Sequence, residues 1–165
     1  MISGILSWFN LVVWGFFVAV ATLLALLYTN IELFIGVFIV SSIVLHSYAA
    51  LKLRKSIKNP VVPLGSQTPI GIRLMGAFTL FLGIIYISQG ITIIQNMQEV
   101  VKSFQEVIES LSAGSSKNIN PRSMAWGISI FSIVLGLSCV GNAILNFRML
   151  KWYLFSSKDE QDFLK

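Results

Sequence analysis

Charge is what this sequence has least of. Only 12% of its 165 residues are charged, about half the roughly 25% usual in a soluble domain. A chain that sits largely in lipid explains the deficit, because ionised side chains are costly there. Cysteine is nearly absent too. The single Cys139 lies in an apolar run, which excludes an intrachain disulfide or a thiolate metal cluster. The single histidine, His46, excludes a bis-histidine haem within one chain. No Ser-His-Asp set, HExxH, phosphate loop, CxxC or pair of aspartates within an apolar segment is present, so none of the usual catalytic constellations can be assembled. These absences lead to the expectation of a non-catalytic protein with no cofactor and no bound metal. The net charge of +5 is not a nucleic-acid footprint, since in such a chain the placement of the charge matters more than its sum.

What is present is apolar length. Hydrophobic residues make up 55% of the chain and mean hydropathy is +0.79. Four stretches, about 5–28, 32–51, 72–95 and 123–147, each meet the requirement of about 20 predominantly apolar residues for a membrane span. Residues 1–10 contain no Lys or Arg, a poor match to a cleavable signal with its basic leading region. The first stretch is therefore expected to be a retained span. Only a tight turn separates it from the second, so the two form a helical hairpin. Trp8, Phe9 and Trp14 crowd one end of the first span in the manner of an interfacial aromatic belt.

Residues 52–71 carry Lys52, Arg54, Lys55 and Lys58 and then Pro60, Pro63, Gly65, Pro69 and Gly71. Repeated prolines predict an extended loop there, and Val61, Val62, Leu64 and Ile70 are apolar enough to tuck under a bundle. Asn120-Pro121 reads as an N-cap followed by proline at the first helical position. Residues 96–122 form the opposite connection and 148–165 a charged tail. The loop between spans two and three and both chain ends share one side of a four-span topology. That side holds nine of the twelve Lys and Arg residues, so the positive-inside rule places it in the cytoplasm, as in a bacterial inner membrane.

One periodic seam organises the chain. Gly76, Gly83, Gly90, Met97, Phe104 and Leu111 recur every seventh residue, with Leu80, Ile87, Ile94, Val101 and Ile108 between them. In its first half the seam bears glycines, which let a second backbone approach closely in lipid. In its second half it bears large apolar residues flanked by Glu99, Lys102, Glu106 and Glu109, as an amphipathic helix in water requires. The third helix is thus expected to continue beyond the bilayer. The fourth span has its own small and polar stripe, Ala125, Ser129, Ser132, Gly136, Cys139, Ala143 and Asn146. Gly76, Gly83 and Gly90 are expected to pack on Ser129, Ser132 and Gly136, the alternative being that one stripe packs on another copy or another subunit.

The fold class that follows is an all-α membrane protein, with four transmembrane helices in a bundle and an amphipathic extension of the third. Polar groups within the spans have mundane readings. His46 suits a packing or interfacial position, Glu32 sits where an acid favours a helix N-terminus, and Gln89, Gln95, Asn96, Asn142 and Asn146 can bond neighbouring helices. Asn10 carries no distinct signal. Partners are expected to be membrane lipid, contacted by Lys52, Arg54, Lys55, Lys58 and Arg73, and either a second copy or other membrane subunits, contacted by Met97, Val101, Phe104, Ile108 and Leu111. Nucleic acid is not expected. Two functions fit this pattern: an accessory or scaffold subunit of a membrane assembly, or a small homo-oligomeric channel.

Overall fold

The computed structural model describes residues 2–29, 31–59, 64–111 and 120–163, with side chains for all but 111 and 156–163. The described residues are all-α: α1 (Ile2–Tyr28), α2 (Ile31–Lys58), α3 (Thr68–Gln95), α4 (Met97–Leu111) and α5 (Pro121–Phe163). Four of them, α1, α2, α3 and α5, are long and apolar enough to cross a membrane. Their surfaces are apolar on the outside as well as within, as for Phe16, Phe38, Phe81 and Leu137, each more than half exposed. In water such a surface would drive aggregation; facing lipid it is the expected solvent boundary. The protein is an integral membrane protein.

The helix ends follow from local chemistry. Asn120 caps α5, its Oδ1 accepting from the backbone N–H of Arg122 at 3.0 Å and of Ser123 at 3.4 Å, with Pro121 at the first position, where no N–H is needed. Thr29 closes α1 with φ of 45°, the left-handed conformation common just past a helix end. It is strained there, because a β-branched side chain crowds the backbone in that region.

Residues 52–58 differ from the expected loop. They continue α2 as helix to Lys58. Neither proline nor glycine occurs among them, Lys, Arg and Leu are good helix formers, and cations in a last turn are favoured by the helix dipole. Leu53 and Ser56 are buried, so tertiary packing holds the segment as well. α3 likewise begins earlier than expected, at Thr68, with Pro69 in the first turn, where it displaces no intrahelical bond. Val61 and Val62 lie outside the described residues. Leu64 does pack inward, against the buried trio Leu53, Ile72 and Leu150, whereas Ile70 is 66% exposed. The segment from 148 onward is no separate tail: α5 runs through it as helix to Phe163.

The amphipathic extension of the third helix is present as α4. Only Asn96 separates it from α3, and the hydrogen bonds Asn96 N–H to Thr92 O (2.9 Å) and Val100 N–H to Asn96 O (3.1 Å) carry the helical pattern across the break.

Contacts group the chain into two compact units, Met1–Leu82 with Ser138–Lys165, and Gly83–Leu137. In the first, α1, α2, the start of α3 and the end of α5 form a four-helix bundle. The second contains the remainder of α3, α4 and the start of α5.

Candidate functional site: a buried polar network and two close helix approaches

The interior of the first unit carries many polar side chains. Asn10, His46 and Asn142 are fully buried, as are Ser7 and Ser47 to within 1%. The positions come from simple spacing. Ser3, Ser7, Asn10 and Trp14 recur at four, three and four residues along α1, which stacks them on one helix face. Ser42 and His46 do the same on α2, and Cys139, Asn142 and Asn146 on α5.

Asn142 is the hub. Its Oδ1 accepts from Ser7 Oγ of α1 (2.8 Å) and from Asn146 Nδ2 one turn along α5 (2.9 Å). Its Nδ2 donates to Ser47 Oγ of α2 at 3.3 Å. A single amide thereby ties three helices. Asn146 Nδ2 also lies 3.4 Å from His46 Nε2. The His46 ring stands edge-on to Phe147, with centroids 6.2 Å apart. A second pair forms between Asn10 and Ser138: the serine hydroxyl donates to Asn10 Oδ1 (3.0 Å), and Asn10 Nδ2 donates to the Ser138 carbonyl (3.3 Å). Cys139 Sγ lies 3.9 Å from the same Asn10 oxygen. Buried polar groups in lipid need such partners, since no water competes to satisfy them. Among the described residues Ser42 Oγ and His46 Nδ1 are buried without a hydrogen-bond partner, although the His46 side chain lies by the backbone of Ile72.

This network absorbs residues the sequence left ambiguous. His46, Asn142 and Asn146 are buried within it, and Asn10, without a signal of its own in sequence, is one of the best-connected. Trp14 is buried at 3% rather than displayed in an aromatic belt, while Trp8 at 58% is exposed. Gln89, Gln95 and Asn96 are exposed and take no part, and Glu32 is exposed in the first turn of α2. Among the described residues no three His, Cys, Asp or Glu side chains come together to hold a metal.

The glycine positions make close approaches. In the second unit, a Cβ at Gly136 would stand 2.6 Å from the Gly83 carbonyl oxygen, and one at Gly90 would stand 2.8 Å from the Ser129 carbonyl oxygen. Ser129 Oγ donates to the Gly90 carbonyl at 2.8 Å. Gly83 thus meets Gly136, and Gly90 meets Ser129, bringing the α3 and α5 backbones close, with the side chains of Ile87 and Ile133 packed beside the two approaches. Ser132 is half-buried beside them. Gly76 has a different neighbour from the expected one: within the first unit it receives Phe147 and His46, whose atoms lie 2.6 and 2.9 Å from where its Cβ would be.

On α4, Met97, Val101, Phe104 and Ile108 are half-buried, and Val107 is 52% exposed. The side chain of Leu111 lies outside the described residues. Of the basic residues, Lys52, Lys55, Lys58 and Arg73 are exposed and Arg54 is half-buried. The Arg54 guanidinium occupies the space that a side chain at Gly4 of α1 would take, and Lys52 Nζ sits 4.7 Å above the Tyr48 ring.

No family model matches the chain, and no curated protein or solved structure matches it either.

Proposed function

We propose that this protein is a non-catalytic accessory or scaffold subunit of a membrane assembly, acting through helix packing and through α4. The observation that carries the reading is the closed hydrogen bonding of Asn142 to Ser7, Ser47 and Asn146. The buried amides of Asn10, Asn142 and Asn146 are spent on partners within the bundle, most of them on other helices. A coupled transporter or an enzyme would be expected to present ionisable groups to a substrate, whereas here amides and hydroxyls hold helices together. α4 then supplies a docking surface outside the spans, with Met97, Val101, Phe104, Ile108 and Leu111 as its apolar stripe. Fifteen residues of helix are marginal for pairing in isolation, so docking relies on the spans acting at the same time.

The positive-inside rule puts both termini and the basic end of the bundle in the cytoplasm and α4 on the outer side. A cysteine introduced at Ser115 should react with an impermeant maleimide from outside intact cells; protection there and reaction only in inverted vesicles contradicts this orientation. Extraction in a mild detergent tests the function itself. The proposal requires a stoichiometric complex with other membrane chains, and a closed homo-oligomer surrounding an axial cavity overturns it in favour of a channel.

A further inference from the structure

Four grooves between helices of the first unit each contain a cation. Arg54 lines the groove between α1 and α2, Lys52 that between α2 and α3, Arg148 that where α1, α2 and α5 meet, and Arg73 with Lys151 that between α3 and α5. The last is distinctive because two cations share it. Its other lining residues are Phe147, Leu150, Leu154 and Phe155, which recur at helical spacing along one face of α5. Leu150 is a buried floor residue at 2%, and Phe155 is a wall at 61% exposure, with Lys151 Nζ 6.0 Å from its ring.

Two like charges on one groove repel each other, and the apolar residues that line the rest of it supply no counter-charge. Among the described residues neither Arg73 nor Lys151 pairs with a carboxylate. The sequence offers none nearby on these elements: α3 has no acid at all, and α5 has none before Asp159. An anion shared between the two cations removes the repulsion. A bare inorganic anion would leave the apolar floor uncovered, and the groove volume of about 570 Å3 is many times what such an ion fills. An amphiphile whose anionic head lies beside apolar chains satisfies both parts of the surface. Its source is at hand, since the groove opens on the flank of helices that cross the membrane.

We infer that the α3–α5 groove is a binding site for an anionic phospholipid, the phosphate held between Arg73 and Lys151 and an acyl chain laid along Phe147 and Leu150. The arginine can present two parallel N–H groups to phosphate oxygens, and the lysine adds a point charge. This site is independent of whether the chain joins a larger assembly.

The test uses the full chain in a neutral detergent, with phosphatidylglycerol or phosphatidylcholine of the same acyl chains added back and bound lipid counted by native mass spectrometry. Phosphatidylglycerol should bind in preference to phosphatidylcholine. Arg73→Gln with Lys151→Gln should lower that preference by roughly 30-fold, as expected for two surface cations of about tenfold or less each. Both residues are exposed, so helix content by circular dichroism should not change. Arg73→Lys with Lys151→Arg should keep most of the preference, and Lys102→Gln with Arg122→Gln, neither of which lines the groove, should keep all of it. Equal binding of the two lipids, or an undiminished preference in the double glutamine variant, overturns the inference. So does displacement of the lipid by excess inorganic phosphate, which would mark a site for free anions, or by an acidic peptide, which would mark a protein-docking surface.

Discussion

Replacing Gly136 with alanine isolates the backbone contact between α3 and α5. The added methyl would stand 2.6 Å from the Gly83 carbonyl oxygen, 2.7 Å from Ile87 Cγ1 and 2.9 Å from the Ile87 nitrogen. Comfortable separations for such pairs are about 3.5 Å, so the helices must part by roughly 1 Å. Two of the three obstacles are backbone atoms, which cannot rotate aside as a side chain can. Overpacking of this kind costs about 1–3 kcal/mol, against a helix-propensity gain for alanine of at most about 1 kcal/mol. The expected net loss is about 0–2 kcal/mol. Gly127 provides the control on the same helix. It is exposed and a Cβ there meets nothing within 4 Å, so Gly127→Ala should be neutral or stabilising by up to about 1 kcal/mol. Unfolding by sodium dodecyl sulfate in mixed micelles, followed by far-ultraviolet circular dichroism, measures both. Equal stability of the two variants would refute the close backbone contact.

Asn142→Leu removes the hub while keeping volume. Serine hydroxyls can fall back on carbonyls one turn earlier, so the loss should be about 1–2 kcal/mol, and a double-mutant cycle with Ser7→Ala should return a coupling of about 0.6 kcal/mol; zero coupling in the same micelle assay contradicts the bond. Thr29→Gly should stabilise the α1–α2 hairpin by about 1 kcal/mol by relieving the left-handed strain, and a destabilised variant would show the turn to be otherwise built. Cys139 is fully buried, so a bulky maleimide should modify it only as the bundle unfolds, at a rate that tracks the circular dichroism transition; fast labelling of the folded protein would mean that the network around Asn10 is open.

The spans were legible because lipid demands length and apolarity, and both can be counted along a chain. The positions Gly83, Gly90 and Gly136 were legible for the same reason that they pack: small residues recurring on one face of an apolar helix, at 76, 83 and 90 on α3 and at 125, 129, 132 and 136 on α5, let another backbone approach closely. Helix ends were harder. Residues 52–58 look like a loop if charge is taken as a break, yet Lys and Arg break nothing, and Leu53 gives the segment a buried anchor. Gly76 fell in the right stripe but met His46 and Phe147, because which neighbour a stripe faces depends on helix arrangement, which periodicity along one helix does not specify. Taken singly, Asn10 is a lone amide near a helix end and carries no signal. Its signal was present in the four-three-four spacing of Ser3, Ser7, Asn10 and Trp14, a polar stripe as regular as the glycine one.

Placing a photo-crosslinking amino acid at Val107, the half-exposed apolar position on α4, tests the role of this protein most directly. Irradiated in its own membrane, the chain should give one adduct of defined mass with a different membrane protein, and the adduct should disappear when Phe104 is changed to Glu. Adducts with lipid alone, or only with a second copy of the chain, would contradict an accessory or scaffold role.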